Sequence, residues 1–191
     1  MKLHSPIFLD IAKKVFLFFS LNIIIISSLH SQLAVFKMVG KNSSNSKIGF
    51  GTFVYWDIPV NETGNNSVMV ELLDLGIFPR KNSDIDAPIG YASIKVGYRH
   101  IFSDESKTGF FIEPSAGYCR VVNSAGPNGT YGDGVAIAAE TGYSIEVGQR
   151  ANTLVFGLKY ESDLAGTGTT INALSFRFSY SFHMFRKKSD N

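Results

Sequence analysis

The run at residues 173–185, A-L-S-F-R-F-S-Y-S-F-H-M-F, constrains the fold more than any other stretch. Large apolar side chains occupy every second position, at Leu174, Phe176, Phe178, Tyr180, Phe182 and Met184. Because neighbouring side chains of a β-strand point to opposite faces, this pattern predicts a strand with one apolar and one polar face. Strands of soluble domains usually have about five or six residues, whereas roughly nine to eleven tilted residues cross a bilayer. The length therefore indicates a strand whose apolar face meets lipid.

Composition excludes several classes of protein. The 191 residues suit one domain, and the formal net charge of +2 lacks the basic excess typical of nucleic-acid-binding proteins. Cys119 is the single cysteine, so the chain has neither an internal disulfide nor a zinc-type ligand spacing. We expect it to be a small residue on an inner face. The sequence predicts no metal and no cofactor.

The first residues predict an export signal. Lys2, Lys13 and Lys14 accompany the apolar stretches 15–21 and 23–26, and serines follow them. We expect a signal peptide over residues 1–32, cleaved near Ser31 or Gln32. The alternative is an uncleaved N-terminal anchor helix. The barrel is then expected over residues 33–185, with a polar tail at 186–191.

Alternating patterns recur along the rest of the chain. They predict about eight strands, at 33–40, 47–58, 67–78, 89–102, 108–121, 135–147, 154–161 and 173–185. An even number fits an all-β fold, a closed antiparallel up-and-down transmembrane β-barrel. Two irregularities are expected, a bulge near Glu71 and a bulge or bend at Pro114.

The connections predict an orientation. With both chain ends in the periplasm, the segments at 41–46, 79–88, 123–133 and 162–170 face outside. The turns at 103–107 and 148–152 face the periplasm and are shorter, as in bacterial barrels. The segment at 123–133 is interpreted as the longest loop. The turn at 59–66 is long for a periplasmic one.

Charged residues gather on the face opposite the apolar one. The candidate site is a luminal charge network of Lys95, Arg99, Glu113, Glu140, Glu146, Lys159, Glu161 and Arg177. Lys47 and Asp57 share this inner register. A barrel of about eight strands is only wide enough inside for side chains, and buried charges need partners. The network is therefore interpreted as structural. The alternative is a small pore or transport barrel with an ion path through it.

Two further functions are alternatives. A lipid-modifying enzyme would use His100 with Ser103, or His183 with Ser179 and Ser181. The deacylase motif has one residue between His and Ser, but two residues separate His100 from Ser103, so catalysis is not expected. A soluble exported barrel that binds an apolar ligand would turn its aromatic register inward.

Two strand motifs carry a resemblance. They are K-V-G-Y-R at 95–99 and E-P-S-A-G-Y at 113–118, and the run at 173–185 is similar to the aromatic strand that the barrel-assembly machinery reads. With these the chain resembles the small OmpA/OmpX-like outer-membrane barrels of the porin-like superfamily. The resemblance implies location in the outer membrane and a structural or surface-interaction role through extracellular loops. The implied partners are outer-membrane lipid, the assembly machinery and an extracellular molecule at the loops, with no nucleic acid.

Overall fold

The chain folds into one closed barrel of eight antiparallel strands. The structure, a computed structural model, describes residues 31–81, 88–103, 107–123, 130–147, 152–166 and 170–181. The strands are β1 (Ser31–Val39), β2 (Gly49–Pro59), β3 (Asn66–Phe78), β4 (Ile89–Ile101), β5 (Gly109–Asn123), β6 (Thr130–Val147), β7 (Asn152–Ala165) and β8 (Thr170–Ser181). A short 3-10 helix, Gly40–Asn45, follows β1. The predicted fold class and strand number are confirmed.

Closure of the sheet comes from pairing between the first and last strands. Ser31 lies opposite Tyr180, and the ladder continues to Val39 opposite Asn172. Closure leaves no open sheet edge along this seam, which matters in lipid because unpaired backbone groups cannot bind water there. The barrel begins and ends at one end, here called the terminal end, with the β2–β3, β4–β5 and β6–β7 connections. The other four connections lie at the distal end.

The apolar register of every strand faces outward. The exposed fraction is 67% for Phe110, 65% for Leu33 and 53% for Phe176, while the intervening side chains fill the interior. This confirms the two faces predicted for the described part of the run at 173–185. A barrel that binds an apolar ligand inside needs the opposite arrangement. Among the described residues, no helix has the length and apolar content to cross a bilayer.

Most exposed aromatic rings on this outer surface fall in two bands, and Phe176 lies between them in the middle of β8. Exposed rings near the terminal end are Trp56, Tyr98, Phe102, Phe110 and Tyr143, and those nearer the distal end are Phe50, Tyr118 and Tyr160. Phe110 and Tyr118 are roughly 26 Å apart along β5 at about 3.3 Å per residue. A tilt of about 40° reduces this to about 20 Å along the axis, close to the apolar band of membrane barrels.

The bulge predicted near Glu71 is confirmed. On β2, the consecutive residues Val54 and Tyr55 pair with Leu73 and Glu71, so β3 carries one extra residue, Leu72. The same shift appears against β4, between Glu71 and Asp74. Glu71 and Asp74 are three positions apart and would face opposite sides of a regular strand. The bulge turns both carboxylates inward.

Other expectations about the strands are corrected. Of the bulge or bend expected at Pro114, the bulge is absent, because the β4–β5 register is the same at Gly97–Ser115 and at His100–Ile112. The proline instead interrupts the ladder between these pairs, since it has no N–H to donate. The loop expected at 123–133 is shorter, because β5 extends to Asn123 and β6 begins at Thr130.

The ends of the predicted barrel differ in part from those of the structure. β1 begins at Ser31, so the first two positions of the β1–β8 ladder lie in the segment assigned to the signal peptide. The rest of that segment, the tail at 186–191 and the predicted strand positions 182–185 lie outside the described residues. Lys47, expected on the inner face, is exposed.

Candidate functional site

The interior of the barrel holds most of the predicted charge network. Seven of its residues are buried, with 6% exposure or less: Lys95, Arg99, Glu113, Glu140, Lys159, Glu161 and Arg177. Alternation places each of them on the inner register of β4 to β8. Charges this far from water are stable only when they are paired and hydrogen-bonded.

Two lysines form the middle of the network. Lys95 Nζ lies 3.0 Å from Asp74 Oδ2 and 2.6 Å from Glu161 Oε1. From the facing strand, Lys159 Nζ lies 2.6 Å from both Asp74 Oδ2 and Glu161 Oε2. Glu71 Oε2 lies 3.1 Å from Lys95 and 3.2 Å from Lys159. Each ammonium group thus contacts three carboxylates, and the two lysines share all three of them.

Two arginines extend the network toward the terminal end. Arg177 donates to Glu71 and, at 2.7 Å, to Glu140 Oε2, and its guanidinium lies 3.3 Å from the centre of the Phe53 ring. Arg99 pairs with Glu113 at 2.6 Å and covers the Phe111 ring at 4.5 Å. Planar guanidinium groups suit such sites because they bind carboxylates and stack on aromatic faces at once.

Sequence reasoning missed two central members and misplaced another. Glu71 and Asp74 were not assigned to the network because their odd spacing hides their shared face. The bulge predicted near Glu71 was the sequence signal that could have placed both residues on the inner face. Glu146, predicted to be luminal, is exposed near the end of β6 and has no ion pair among the described residues. Glu146 occupies an inward position of β6, but it lies beyond the part of the strand that encloses the interior.

Apolar layers close the lumen on both sides of the ion pairs. The distal layer contains Phe36, Met38, Phe78, Tyr91, Val121 and Ile171, each 3% exposed or less. The rings of Phe36, Phe78 and Tyr91 meet with centroids 5.7 to 6.1 Å apart. The terminal layer contains Ile101, Phe111 and Val155. The interior therefore resembles a packed protein core.

The residues considered for catalysis are placed differently. His100 Nδ1 lies 2.7 Å from Asn66 Oδ1, which also accepts a hydrogen bond from Tyr98, and the imidazole packs edge-on against Phe102. The partner of the histidine is therefore a side-chain amide, which is not a nucleophile. His183 lies outside the described residues, and Ser179 bonds to Tyr55 in the interior.

Cys119 is fully buried, so its thiol is closed to solvent. Within the described ranges, no group of three or more His, Cys, Asp or Glu side chains is arranged to hold a metal ion.

The fold and the site together define a class of protein. An eight-stranded barrel with an aromatic-banded apolar exterior and an ion-paired, sealed interior has the architecture of the small outer-membrane barrels.

Solved structures support this class. Neisserial surface protein A (NspA) is similar with a TM-score of 0.59 and 16% identity, over 80% of this chain and 92% of that one. Ail, the attachment invasion locus protein of Yersinia pestis, is similar with a TM-score of 0.51 and 13% identity, over 81% of this chain and 97% of that one. Ail in complex with the heparin analogue sucrose octasulfate is similar with a TM-score of 0.52 and 14% identity, over the same shares of the two chains. Both proteins are eight-stranded outer-membrane barrels. Neither the protein-family models nor the curated proteins give a match to the sequence.

Proposed function

We propose that this chain is an outer-membrane protein whose barrel is a sealed scaffold and whose activity is surface interaction through the distal connections. The observation that carries the proposal is that side chains fill the interior of the barrel. Ion pairs such as Lys159–Asp74 fill it, and apolar side chains close it on both sides. Because the described interior is filled by side chains, we assign contact with a partner to the connections between strands.

The orientation follows from the position of the chain ends. Both ends of the barrel lie at the terminal end, which we place in the periplasm, with the distal end at the cell surface. The partners are then outer-membrane lipid along the apolar exterior, the barrel-assembly machinery through β8 during biogenesis, and an extracellular molecule at the distal connections. The attachment and invasion named in the description of Ail support the last of these.

Loop replacement in bacteria that display the protein tests this role. Residues 82–87 and 124–129, in two distal connections, are each replaced by a Gly-Ser segment of equal length. Residues 104–106, in a connection at the terminal end, receive the matched control replacement. Adherence of the bacteria to cultured epithelial cells is then counted.

We expect the wild type and the control to adhere above a strain without the protein, and at least one distal variant to lose that adherence. Adherence of both distal variants equal to the wild type, or a wild type no better than the empty strain, would contradict the proposal. Heat-modifiable gel mobility shows that each variant has formed its barrel.

A further inference from the structure

Among the residues that the structure describes at the distal end, the exposed charges are distributed unevenly around the barrel. Residues 32–56 contain three lysines and no acidic residue. Two of these lysines, Lys37 and Lys47, are exposed, and we call them the basic rim. The carboxylates described on β1 to β3 and in the β2–β3 connection lie away from the basic rim. Glu71 and Asp74 are inside the barrel, and Asp57 and Glu62 lie near the terminal end.

The two lysines are brought together by strand register. Phe36 pairs with Gly49, so Lys37 lies alongside Ile48, and Lys47 follows one position further on. Ser46 and Gly49 are both buried although they are three positions apart, so the chain changes register between them. This change leaves Lys47 and Ile48 exposed together. The Lys47 N–H donates to Pro79 O at 2.7 Å, and the half-buried Arg80 follows on that side.

The surface beside the basic rim is apolar. Lys37 lies opposite Leu174 on β8, and Ile48 is 53% exposed. On the same strands, Val35 and Phe50 continue the exposed apolar surface toward the middle of the barrel. Lysine stems pack along such surfaces while the ammonium groups reach the polar layer.

The opposite side of the barrel provides a comparison. Arg120 on β5 also lies at the distal edge of the apolar surface, two positions beyond Tyr118. Its Nε and Nη2 donate to Asp133 at 2.6 and 3.0 Å. That cation is already neutralised by a bidentate partner. Among the described residues, Lys37 and Lys47 make no such ion pair.

We propose that the basic rim binds the phosphate groups of a phosphorylated glycolipid in the outer leaflet, with the acyl chains against Ile48, Phe50 and Leu174. Fixed cations directly above an apolar surface match a lipid that carries anionic groups above its chains. This inference rests on the proposed outer-membrane placement, with the distal end outward. It assigns to β1 and β2 a lipid site that the general apolar exterior does not require.

Native mass spectrometry of the full-length protein, extracted in an uncharged detergent, tests the site. Bisphosphorylated lipid A and its dephosphorylated form are titrated separately, and the bound fraction is read from the mass of the complex. The test variant carries Lys37→Gln and Lys47→Gln together. The control is Arg120→Gln, which also removes one exposed cation at the distal edge.

We expect the wild type and the control to prefer the phosphorylated lipid, and the double variant to lose about tenfold or more of that affinity. Equal binding of the two lipids by the wild type would overturn the proposal, as would an unchanged double variant. A soluble sulfated polysaccharide is titrated in the same way, and tighter binding of it than of the phosphorylated lipid would also overturn the proposal.

The boiled and unboiled gel mobilities confirm that each variant is folded before titration. Because lipid is added to purified protein, the result does not depend on where the cell places the chain. Recovery of the wild type in the soluble fraction would instead overturn the proposed function. The two failures are therefore distinguishable.

Discussion

At the scale of single residues, Arg177 connects its own strand to three others inside the barrel. It joins β8 to β3 through Glu71 and to β6 through Glu140, and it covers the Phe53 ring of β2. Four strands thus depend on one guanidinium group. Its burial means that water cannot replace a lost partner.

Reversing this charge is expected to destabilise the barrel strongly. Arg177→Glu places a carboxylate between Glu71 and Glu140, and breaking a buried ion pair alone costs ~3–5 kcal/mol. Arg120→Glu is the matched control, because its ion pair with Asp133 is exposed and screened. Urea unfolding in lipid vesicles, followed by the fluorescence of the single tryptophan Trp56, compares the midpoints. Equal midpoints for the two variants would refute the central role of Arg177.

At the scale of the element, β3 shows what the sequence could predict and what it could not. Alternation identified the strand and placed an irregularity near Glu71, because two apolar registers meet there. It could not assign Asp74, since the face of every later residue depends on which position is extra. The prediction that Glu146 is luminal was wrong for a different reason. Its register is inward, but alternation does not show where the closed interior ends.

Deleting the extra residue tests this account of β3. Without Leu72, Glu71 and Leu73 become neighbours and the strand is regular, with Glu71 and Asp74 still facing inward. We expect this variant to form the barrel with an unfolding midpoint close to that of the wild type. Deletion of Val70 is the matched control, because a regular strand then turns Glu71 toward lipid. A Leu72 deletion as damaging as the Val70 deletion would contradict the bulge assignment.

The start of β1 gives a prediction about processing. Ser31 and Gln32 pair with Tyr180 and Ser179, and Gln32 O accepts a hydrogen bond from the Thr52 hydroxyl. Cleavage after Ser31 or Gln32 would remove backbone groups that close the barrel. We therefore expect the mature protein to begin at or before Ser31. N-terminal sequencing of protein recovered from membranes measures this, and a mature chain that begins at Leu33 would contradict it.

At the scale of the whole molecule, the barrel combines a lipid-compatible exterior with an interior built like a soluble core. The division into apolar, ionic and apolar layers follows from the position of each inward residue along its strand. Sequence alternation predicts which residues face inward, but not how strands of different tilt and stagger align these residues into layers. The number of strands thus predicts a lumen filled by side chains, whereas the arrangement of the described side chains in layers emerged from the three-dimensional structure.

A sealed lumen predicts the absence of conductance. Purified protein inserted into planar bilayers is expected to give no discrete current steps, because the distal layer around Phe36, Phe78 and Tyr91 excludes hydrated ions. A general porin inserted under the same conditions is the positive control. Reproducible single-channel steps from the folded protein would show that the interior opens, and would favour a transport function.

The central claim is that the apolar face of the barrel lies in the outer membrane. Membrane fractionation combined with gel mobility of boiled and unboiled samples tests it most directly. We predict recovery with the outer membrane and a band that moves on boiling, because the closed barrel resists unfolding by detergent at room temperature. Recovery as a soluble periplasmic protein with one unchanging band would contradict the account.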